Sequence, residues 1–174
     1  LVLTEPKLGM KGAVDKANEL AKEIKNSFIP SQFNNPDNPK AHENTTAKEI
    51  LEQSDGKIDI IIAGFGTGGT FRGTARELKK HIKNLQVIAV EPQASPLLSQ
   101  GYAAAHAIQG IGANFVPQNL DQSVIDEFFV VSNENAIATT QKLARQEGLL
   151  AGISSGANIF AASEFAKLSQ NANK

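Results

Sequence analysis

The chain has 174 residues, which is enough for one domain with a substantial core. A hydrophobic fraction of 41% and a charged fraction of 20% are typical of a globular protein, and the net charge of −1 argues against bulk attraction to nucleic acid or to an anionic membrane. The sequence contains no cysteine, which excludes disulfides, thiolate metal sites and cysteine nucleophiles and fits the reducing cytoplasm. No apolar run approaches the roughly 20 residues that span a bilayer.

The N-terminal part of the sequence predicts a short strand and then a helix. The strand is "LVLT", and the chain begins inside it at Leu1, without an initiator methionine. We therefore expect the sequence to be a piece of a longer protein. Apolar residues then recur at helical spacing over residues 10–26. Residues 30–39 carry three prolines and three asparagines, so they are predicted to form a loop and a domain boundary.

From residue 46 onward, predicted helices and strands alternate. Thr46 and Glu49 fit a capping box for a helix over residues 47–53. Ser132 is the predicted N-cap of a further helix, which Gly148 ends. Strands are predicted at residues 58–63, 86–90, 128–131 and 149–153, and other helices at residues 70–81, 95–100 and 155–168. Apolar strands that alternate with helices indicate an α/β fold with an open, mostly parallel sheet flanked by helices.

A glycine-rich loop follows the first of these interior strands. Gly64, Gly66 and Gly69 fit the dinucleotide pattern G-x-G-x-x-G, and Glu91 ends the next strand, where a ribose-binding acid is expected. A helix N-terminus after a glycine turn offers free N–H groups to an anion. Three interpretations are open for this loop: a tight turn without a ligand, a dinucleotide site of an NAD-dependent oxidoreductase, or a site for a single phosphate.

Other features favour the single phosphate. Pro92 follows Glu91, and no further helix of a dinucleotide unit comes directly after it. Thr67 and Thr70 place hydroxyl donors in the loop, which suits a terminal phosphate group. Far along the chain, "GISSGANIF" again has small polar residues before a helix, so Ser154 is predicted to face a ligand at the carboxyl edge of the sheet. Helix capping is the competing interpretation, mainly for the following serine, Ser155.

The motifs taken together resemble the cysteine synthase (O-acetylserine sulfhydrylase) family, whose members are pyridoxal-phosphate enzymes of the tryptophan synthase β-like fold. The resemblance covers residues 1–168. It is carried, in chain order, by "TEPKLGMKGAVDKA", "IPSQFNNPDNP", "GFGTGGT", "VEPQASPLLSQG", "IQGIGANFVP" and "EGLLAGISSGA". It implies pyridoxal 5'-phosphate as the cofactor and a β-replacement that converts O-acetylserine and sulfide to cysteine and acetate. In the family's two-domain layout, residues 1–30 belong to the smaller, mobile domain and residues 31–174 to the larger, cofactor-binding domain.

The resemblance also implies roles for individual residues. The hydroxyl of Ser154 is expected to hydrogen-bond the pyridine nitrogen of the cofactor. The residues expected to form the phosphate cup are Gly66, Thr67, Gly68, Gly69 and Thr70. Substrate-side roles are implied for Gln32, Phe33, Gly110, Gly112 and Ala113.

The family's Schiff-base lysine belongs in a segment N-terminal to this sequence, so the catalytic residue is not assigned here, and we expect the 174-residue chain alone to be inactive. Alternatives within the same class are cystathionine β-synthase-like and serine/threonine dehydratase-like enzymes, and a non-catalytic binding module is a third possibility. The resemblance implies a homodimer and an association with serine acetyltransferase. The histidines lack metal-ligand spacing, so no metal site is predicted; they are His42, His81 and His106.

Overall fold

The structure, a computed structural model, describes residues 1–172 and 174. It is organised around a three-stranded parallel sheet in the order β1-β2-β3. The strands are β1 (Ile60–Gly64), β2 (Gln86–Pro92) and β3 (Glu127–Val131). In register, Ile62 of β1 pairs with Ile88 of β2, and Val90 of β2 pairs with Phe129 of β3. The predicted class, an α/β protein with a parallel sheet, is confirmed.

The described part of the chain contains seven α-helices. They are α1 (Gly9–Glu23), α2 (Asp37–Asn44), α3 (Thr46–Gln53), α4 (Gly69–His81), α5 (Leu97–Gln100), α6 (Asn133–Glu147) and α7 (Ile153–Ala166). Short 3₁₀ turns lie at Pro6–Leu8, Gln122–Val124 and Ser169–Asn171. Within residues 1–172 and 174, each helix is too short or too polar to span a bilayer.

The core has two parts, one on each face of the sheet. Successive side chains of a strand point to opposite faces, so Val87 and Ala89 of β2 pack in one cluster with Leu78 of α4. Val90 of β2 packs in the other cluster with Ala157 of α7. This arrangement fixes the N-terminal ends of α4 and α7 at the carboxyl edge of the sheet.

The prediction of a loop over residues 30–39 is partly wrong, because α2 begins at Asp37. The side-chain oxygen of Asn35 accepts a hydrogen bond from Asp37 N at 3.0 Å, which starts the turn. Pro36 is the N-cap, and Pro39 lies in the first turn of α2. Proline is tolerated there because the N–H groups of a first turn have no acceptor within the helix. The prolines and asparagines that indicated a loop therefore form the start of a helix.

The capping box of the next helix is also wrong. Thr45, and not Thr46, precedes α3, and no side chain caps the helix. The hydroxyl of Thr46 is instead 2.9 Å from His42 Nδ1, so it joins α3 to α2. In contrast, Ser132 Oγ accepts from Asn135 N at 3.1 Å, and Gly148 ends α6 with a φ of +68°, both as predicted.

Two predicted strands, residues 1–4 and 149–153, are not strands in the structure. Leu1 and Leu3 are exposed, and the segment that joins α6 to α7 leaves Leu150 with 92% of its surface accessible. An apolar run becomes a strand only when a neighbouring strand accepts its backbone hydrogen bonds. In the described chain neither segment lies in the sheet.

The start of α7 differs from its predicted position. The helix begins at Ile153 after Gly152, so Ser154 and Ser155 both lie in its first turn and neither is the N-cap. Helix capping is therefore the wrong interpretation for Ser155. Close packing against α6 is possible because α7 carries Gly156 at the crossing. A methyl group there would collide with the Thr140 side chain and the Ala136 carbonyl.

We expect Gly156→Ala to destabilise the fold by about 1–3 kcal/mol, because the added methyl group overfills a closely packed helix crossing. The free energy of unfolding from urea denaturation measures the effect. Gly152→Ala is the matched control, since its added methyl group meets no atom within 4 Å. That variant should lose less, roughly 0.5 kcal/mol, because glycine is preferred over alanine at an N-cap. Equal losses in the two variants would contradict the crossing as the cause.

Candidate functional site

The turn between β1 and α4 is built from glycines for steric reasons. Gly68 has a φ of +81°, a left-handed conformation that glycine adopts readily. A Cβ on Gly68 would lie 2.8 Å from Leu120 N, and one on Gly66 would lie 2.5 Å from the Gly110 carbonyl oxygen. The turn therefore brings bare backbone to the N-terminus of α4, where free N–H groups and the helix dipole favour an anion.

Two threonine hydroxyls are held at this turn by neighbours from α2. Thr67 Oγ1 accepts from Gly69 N at 3.3 Å and from Asn38 Nδ2 at 3.1 Å. Thr70 Oγ1 is 3.1 Å from His42 Nε2. Glycine at Gly69 leaves room for this arrangement, because a Cβ there would overlap the Asn38 amide. The first residues of α4 are thus packed directly against α2.

The N-terminus of α7 meets the same turn from the other side. Asn158 Oδ1 accepts from Gly64 N at 2.8 Å, which ties α7 to the end of β1. One turn before it, Ser154 points toward Gly110, and a Cβ on that glycine would be 3.2 Å from Ser154 Oγ. A four-residue spacing places Ser154 and Asn158 on one face of the helix. This spacing was a sequence signal for Asn158 that the motif-based prediction missed.

The loop after Ala105 is shaped by a histidine. Ile108 N donates to His106 Nδ1 at 3.2 Å, so the ring proton lies on Nε2, which is 2.8 Å from the Gly112 carbonyl oxygen. Gly112 has a φ of +63°, and a Cβ there would lie 2.8 Å from the imidazole. Both ring nitrogens are occupied by this loop, so His106 positions Gly110 and Gly112 beside the turn.

A loop before α2 carries the predicted Gln-Phe pair. The Gln32 carbonyl oxygen accepts from Asn38 Nδ2 at 2.8 Å and from Asn119 Nδ2 at 3.0 Å. Asn119 is buried, with 2% of its surface accessible. The Phe33 ring packs edge-on against Phe115, with centroids 4.9 Å apart. Sequence reasoning missed both asparagines. Asn38 lies in α2, where a loop was predicted, and Asn119 lies in a loop, where an amide carries no periodic signal.

These elements enclose one cavity of about 900 Å³ at the carboxyl edge of the sheet. Of the residues predicted as cofactor- or substrate-binding, all except Gly69 line it; these are Gly66, Thr67, Gly68, Thr70, Ser154, Gln32, Phe33, Gly110, Gly112 and Ala113. Among the described residues, no lysine, arginine, aspartate or glutamate lines the cavity. The polar groups that the cavity offers to a ligand are therefore neutral: backbone N–H groups, hydroxyls and amides.

Glu91 does not face this cavity. Its carboxylate is buried and accepts from Leu98 N at 2.8 Å and from Ser99 N at 3.0 Å, so it caps α5. A ribose-binding acid needs a carboxylate that is free to meet the hydroxyls of a nucleotide. The dinucleotide interpretation of the glycine loop therefore has no ribose-binding acid at Glu91 and is not favoured.

Acidic residues outside the cavity have structural partners. Asp121 accepts from the Ser123 hydroxyl at 2.6 Å, and this hydrogen bond lowers the pKa of its carboxyl group. Asp126 binds Lys79 Nζ at 2.8 Å and accepts from Val87 N at 2.7 Å, next to the sheet. In the part of the chain that the structure describes, no three histidine or acidic side chains are grouped as metal ligands.

Comparison with known proteins agrees with this architecture. The profile of a family described as pyridoxal-phosphate dependent enzyme matches residues 1–174. The chain is 56% identical over 167 residues to cysteine synthase B of Campylobacter jejuni subsp. jejuni serotype O:2, which covers 96% of this chain and 56% of that protein. The chain thus spans about half the length of the curated relatives it matches.

Two solved structures share the fold. A cysteine synthase from Entamoeba histolytica superposes with a TM-score of 0.93 at 39% identity, covering 100% of this chain and 52% of that one. An O-acetylserine dependent cystathionine beta-synthase from Helicobacter pylori superposes with a TM-score of 0.88 at 43% identity, covering 98% of this chain and 56% of that one.

The fold, with its glycine turn at the edge of a parallel sheet, belongs to the tryptophan synthase β-like class of α/β proteins. The chain belongs to the family of pyridoxal-phosphate-dependent enzymes. Its resemblance to the cysteine synthases, which the ordered motifs predicted, is confirmed by the similarity to proteins of that name.

We expect Glu91→Gln to destabilise the fold by about 1–3 kcal/mol, because one buried N–H group of α5 loses its carboxylate acceptor. Thermal unfolding measures the loss. Ligand binding in the 900 Å³ cavity should be unchanged, since Glu91 does not line it. A variant that kept its stability but no longer bound a ligand there would restore Glu91 as a binding residue.

Proposed function

We propose that the whole protein to which this chain belongs is a cysteine synthase that converts O-acetylserine and sulfide to cysteine and acetate with pyridoxal 5'-phosphate. The observation that carries the proposal is the meeting of two helix N-termini at one cavity. The glycine turn with Thr67 lies at one end, and Ser154 lies beside Gly110 at the other. One small cofactor with a phosphate and a ring nitrogen fits both ends.

The turn at the start of α4 fits the phosphate. Terminal phosphate oxygens need several donors that converge, and the turn supplies backbone N–H groups with the hydroxyls of Thr67 and Thr70. Steric space is the second argument, because Gly66 and Gly68 keep the backbone bare where a side chain would fill the cradle. We assign the phosphate cup to Gly66, Thr67, Gly68, Gly69 and Thr70.

Ser154 is proposed to bind the ring nitrogen. When bound, pyridoxal phosphate supplies the electron sink that lets the β-substituent of an amino acid leave. The chain's own part is to hold and orient this group. A neutral hydroxyl partner leaves the ring nitrogen largely unprotonated, whereas a carboxylate would keep it charged, and Ser154 is the neutral kind of partner.

The substrate is proposed to lie between the Gln32–Phe33 loop and the loop of Gly110, Gly112 and Ala113. Both loops line the cavity, and both are fixed by hydrogen bonds to buried or half-buried groups, Asn119 in the first and His106 in the second. Fixed loops orient a substrate without loss of conformational freedom on binding. Among the described residues no lysine lines the cavity, so we assign no base to this chain.

The wider organisation of the protein follows from the same resemblance. We propose that residues 1–30 belong to a smaller, mobile domain and residues 31–174 to the larger one. A homodimer is proposed on the resemblance alone. Serine acetyltransferase is a further proposed partner, and the cytoplasm is proposed as the compartment on the cysteine-free composition.

A second candidate keeps the same cofactor and leaving group but uses a larger thiol in place of sulfide. The observation on its side is the 43% identity to the O-acetylserine dependent cystathionine beta-synthase of Helicobacter pylori, which is lower than the 56% identity to cysteine synthase B of Campylobacter jejuni. Product analysis with sulfide and with an amino-acid thiol as competing acceptors decides between the two. Cysteine as the dominant product supports the first candidate.

We expect the intact protein to be yellow and to form cysteine from O-acetylserine and sulfide. Borohydride should trap the chromophore on a lysine outside residues 1–174, because no lysine among the described residues lines the cavity. Peptide mapping of the reduced protein identifies this lysine. A colourless protein that binds a nicotinamide dinucleotide would overturn the proposal.

A pair of adjacent serines tests the assignment within this chain. Ser154→Ala removes a hydrogen bond to the cofactor, so cofactor affinity or turnover should fall by roughly 3- to 10-fold. Ser155→Ala is the matched control, since Ser155 lies in the same helical turn but does not line the cavity. Equal effects of the two substitutions would contradict the role of Ser154.

A further inference from the structure

Asn38 joins two segments that line the cavity, the Gln32 loop and the glycine turn, through a single amide. Its Nδ2 donates to the Gln32 carbonyl oxygen at 2.8 Å and to Thr67 Oγ1 at 3.1 Å. An amide nitrogen carries two hydrogens, so each hydrogen has one acceptor. The orientation of the amide is fixed, because the Gln32 carbonyl can only accept and must face the nitrogen.

This contact determines which way the Thr67 hydroxyl can act. A hydroxyl has two acceptor lone pairs and one proton. Asn38 Nδ2 and Gly69 N are both donors to Thr67 Oγ1, so they take up its acceptor capacity. The hydroxyl proton takes no part in either contact, and the side chain lines the cavity.

We propose that Asn38 is a positioning residue that makes Thr67 a hydrogen-bond donor to an anionic group in the cavity, and that the same amide holds the Gln32 loop in place. The inference rests on the proposed function, which supplies the anion as the cofactor's phosphate. Asn38 does not itself line the cavity, so it acts through Thr67 and Gln32.

Asn38→Asp tests this role with almost no change of shape. A carboxylate accepts and cannot donate, so it would accept a hydrogen bond from the Thr67 hydroxyl, and a lone pair of Thr67 Oγ1 would then face the anion. The lost hydrogen bond to a charged group is equivalent to roughly a 10- to 100-fold weaker binding of pyridoxal phosphate. Binding of pyridoxal, which lacks the phosphate, should change by less than about 3-fold.

The experiment measures both dissociation constants in the intact protein by absorbance titration, together with the thermal midpoint of each variant. The decisive quantity is the preference for pyridoxal phosphate over pyridoxal, which a general loss of structure would not change selectively. Asn34→Asp is the charge control: it adds the same charge at an exposed position of the same segment. It should keep the preference of the unmodified protein.

A double-mutant cycle shows whether Asn38 acts through Thr67. In a Thr67→Val background, Asn38→Asp should weaken the preference by less than about 2-fold, because the hydroxyl that it reorients is gone. Should Asn38→Asp fail to fold, Asn38→Ala replaces it, with an expected loss of roughly 2- to 10-fold from the freely rotating hydroxyl.

The outcomes separate the inference from the proposed function. If the unmodified protein binds no pyridoxal phosphate, the proposed function is wrong. If it binds but Asn38→Asp keeps the same preference, the inference is wrong. A full penalty in the Thr67→Val background, or an equal loss in Asn34→Asp, would also overturn it.

Discussion

The glycines of the turn between β1 and α4 lie so close to neighbouring segments that a side chain would not fit, and the rest of the site depends on this close packing. Gly66 lies against the Gly110 carbonyl, Gly68 against Leu120, and Gly69 against Asn38. Each contact brings a different segment of the chain to one point. The apolar core holds β1 and α4 in place, and the bare backbone then allows these three segments to pack against the turn.

Packing between α2 and α4 extends the same constraint. Gly73, one turn after Gly69, has no space for a side chain, because Pro39 and His42 of α2 lie against it. Helices that approach this closely place short polar side chains within hydrogen-bond distance of each other's first turn. Thr67 and Thr70 therefore have hydrogen-bond partners in α2, a helix that precedes the β1–α4 unit in sequence and packs against it in space.

The sequence predicted well those elements whose stability is local or depends on a simple pattern. The strand at Gln86–Pro92 is an almost continuous apolar run, and the helix Asn133–Glu147 has a serine cap and a terminal glycine. It failed at Asp37–Asn44, where prolines fit the first turn of a helix, and at residues 149–153, where an apolar run has no neighbouring strand in the described chain. The motifs predicted most of the residues that line the cavity. Asn38 acts through three-dimensional contacts that no local pattern reveals, and the only sequence signal for Asn158 is its four-residue spacing from Ser154.

The lining of the cavity determines how strongly the binding of an anion would depend on ionic strength. In the described chain its polar groups are N–H dipoles, amides and hydroxyls, with no ionised side chain among them. Mobile salt ions screen interactions between charged groups much more strongly than they weaken short, fixed hydrogen bonds. If the proposed phosphate cup binds its anion through these groups, we expect the affinity to depend on the number and direction of the hydrogen bonds and to vary little with ionic strength.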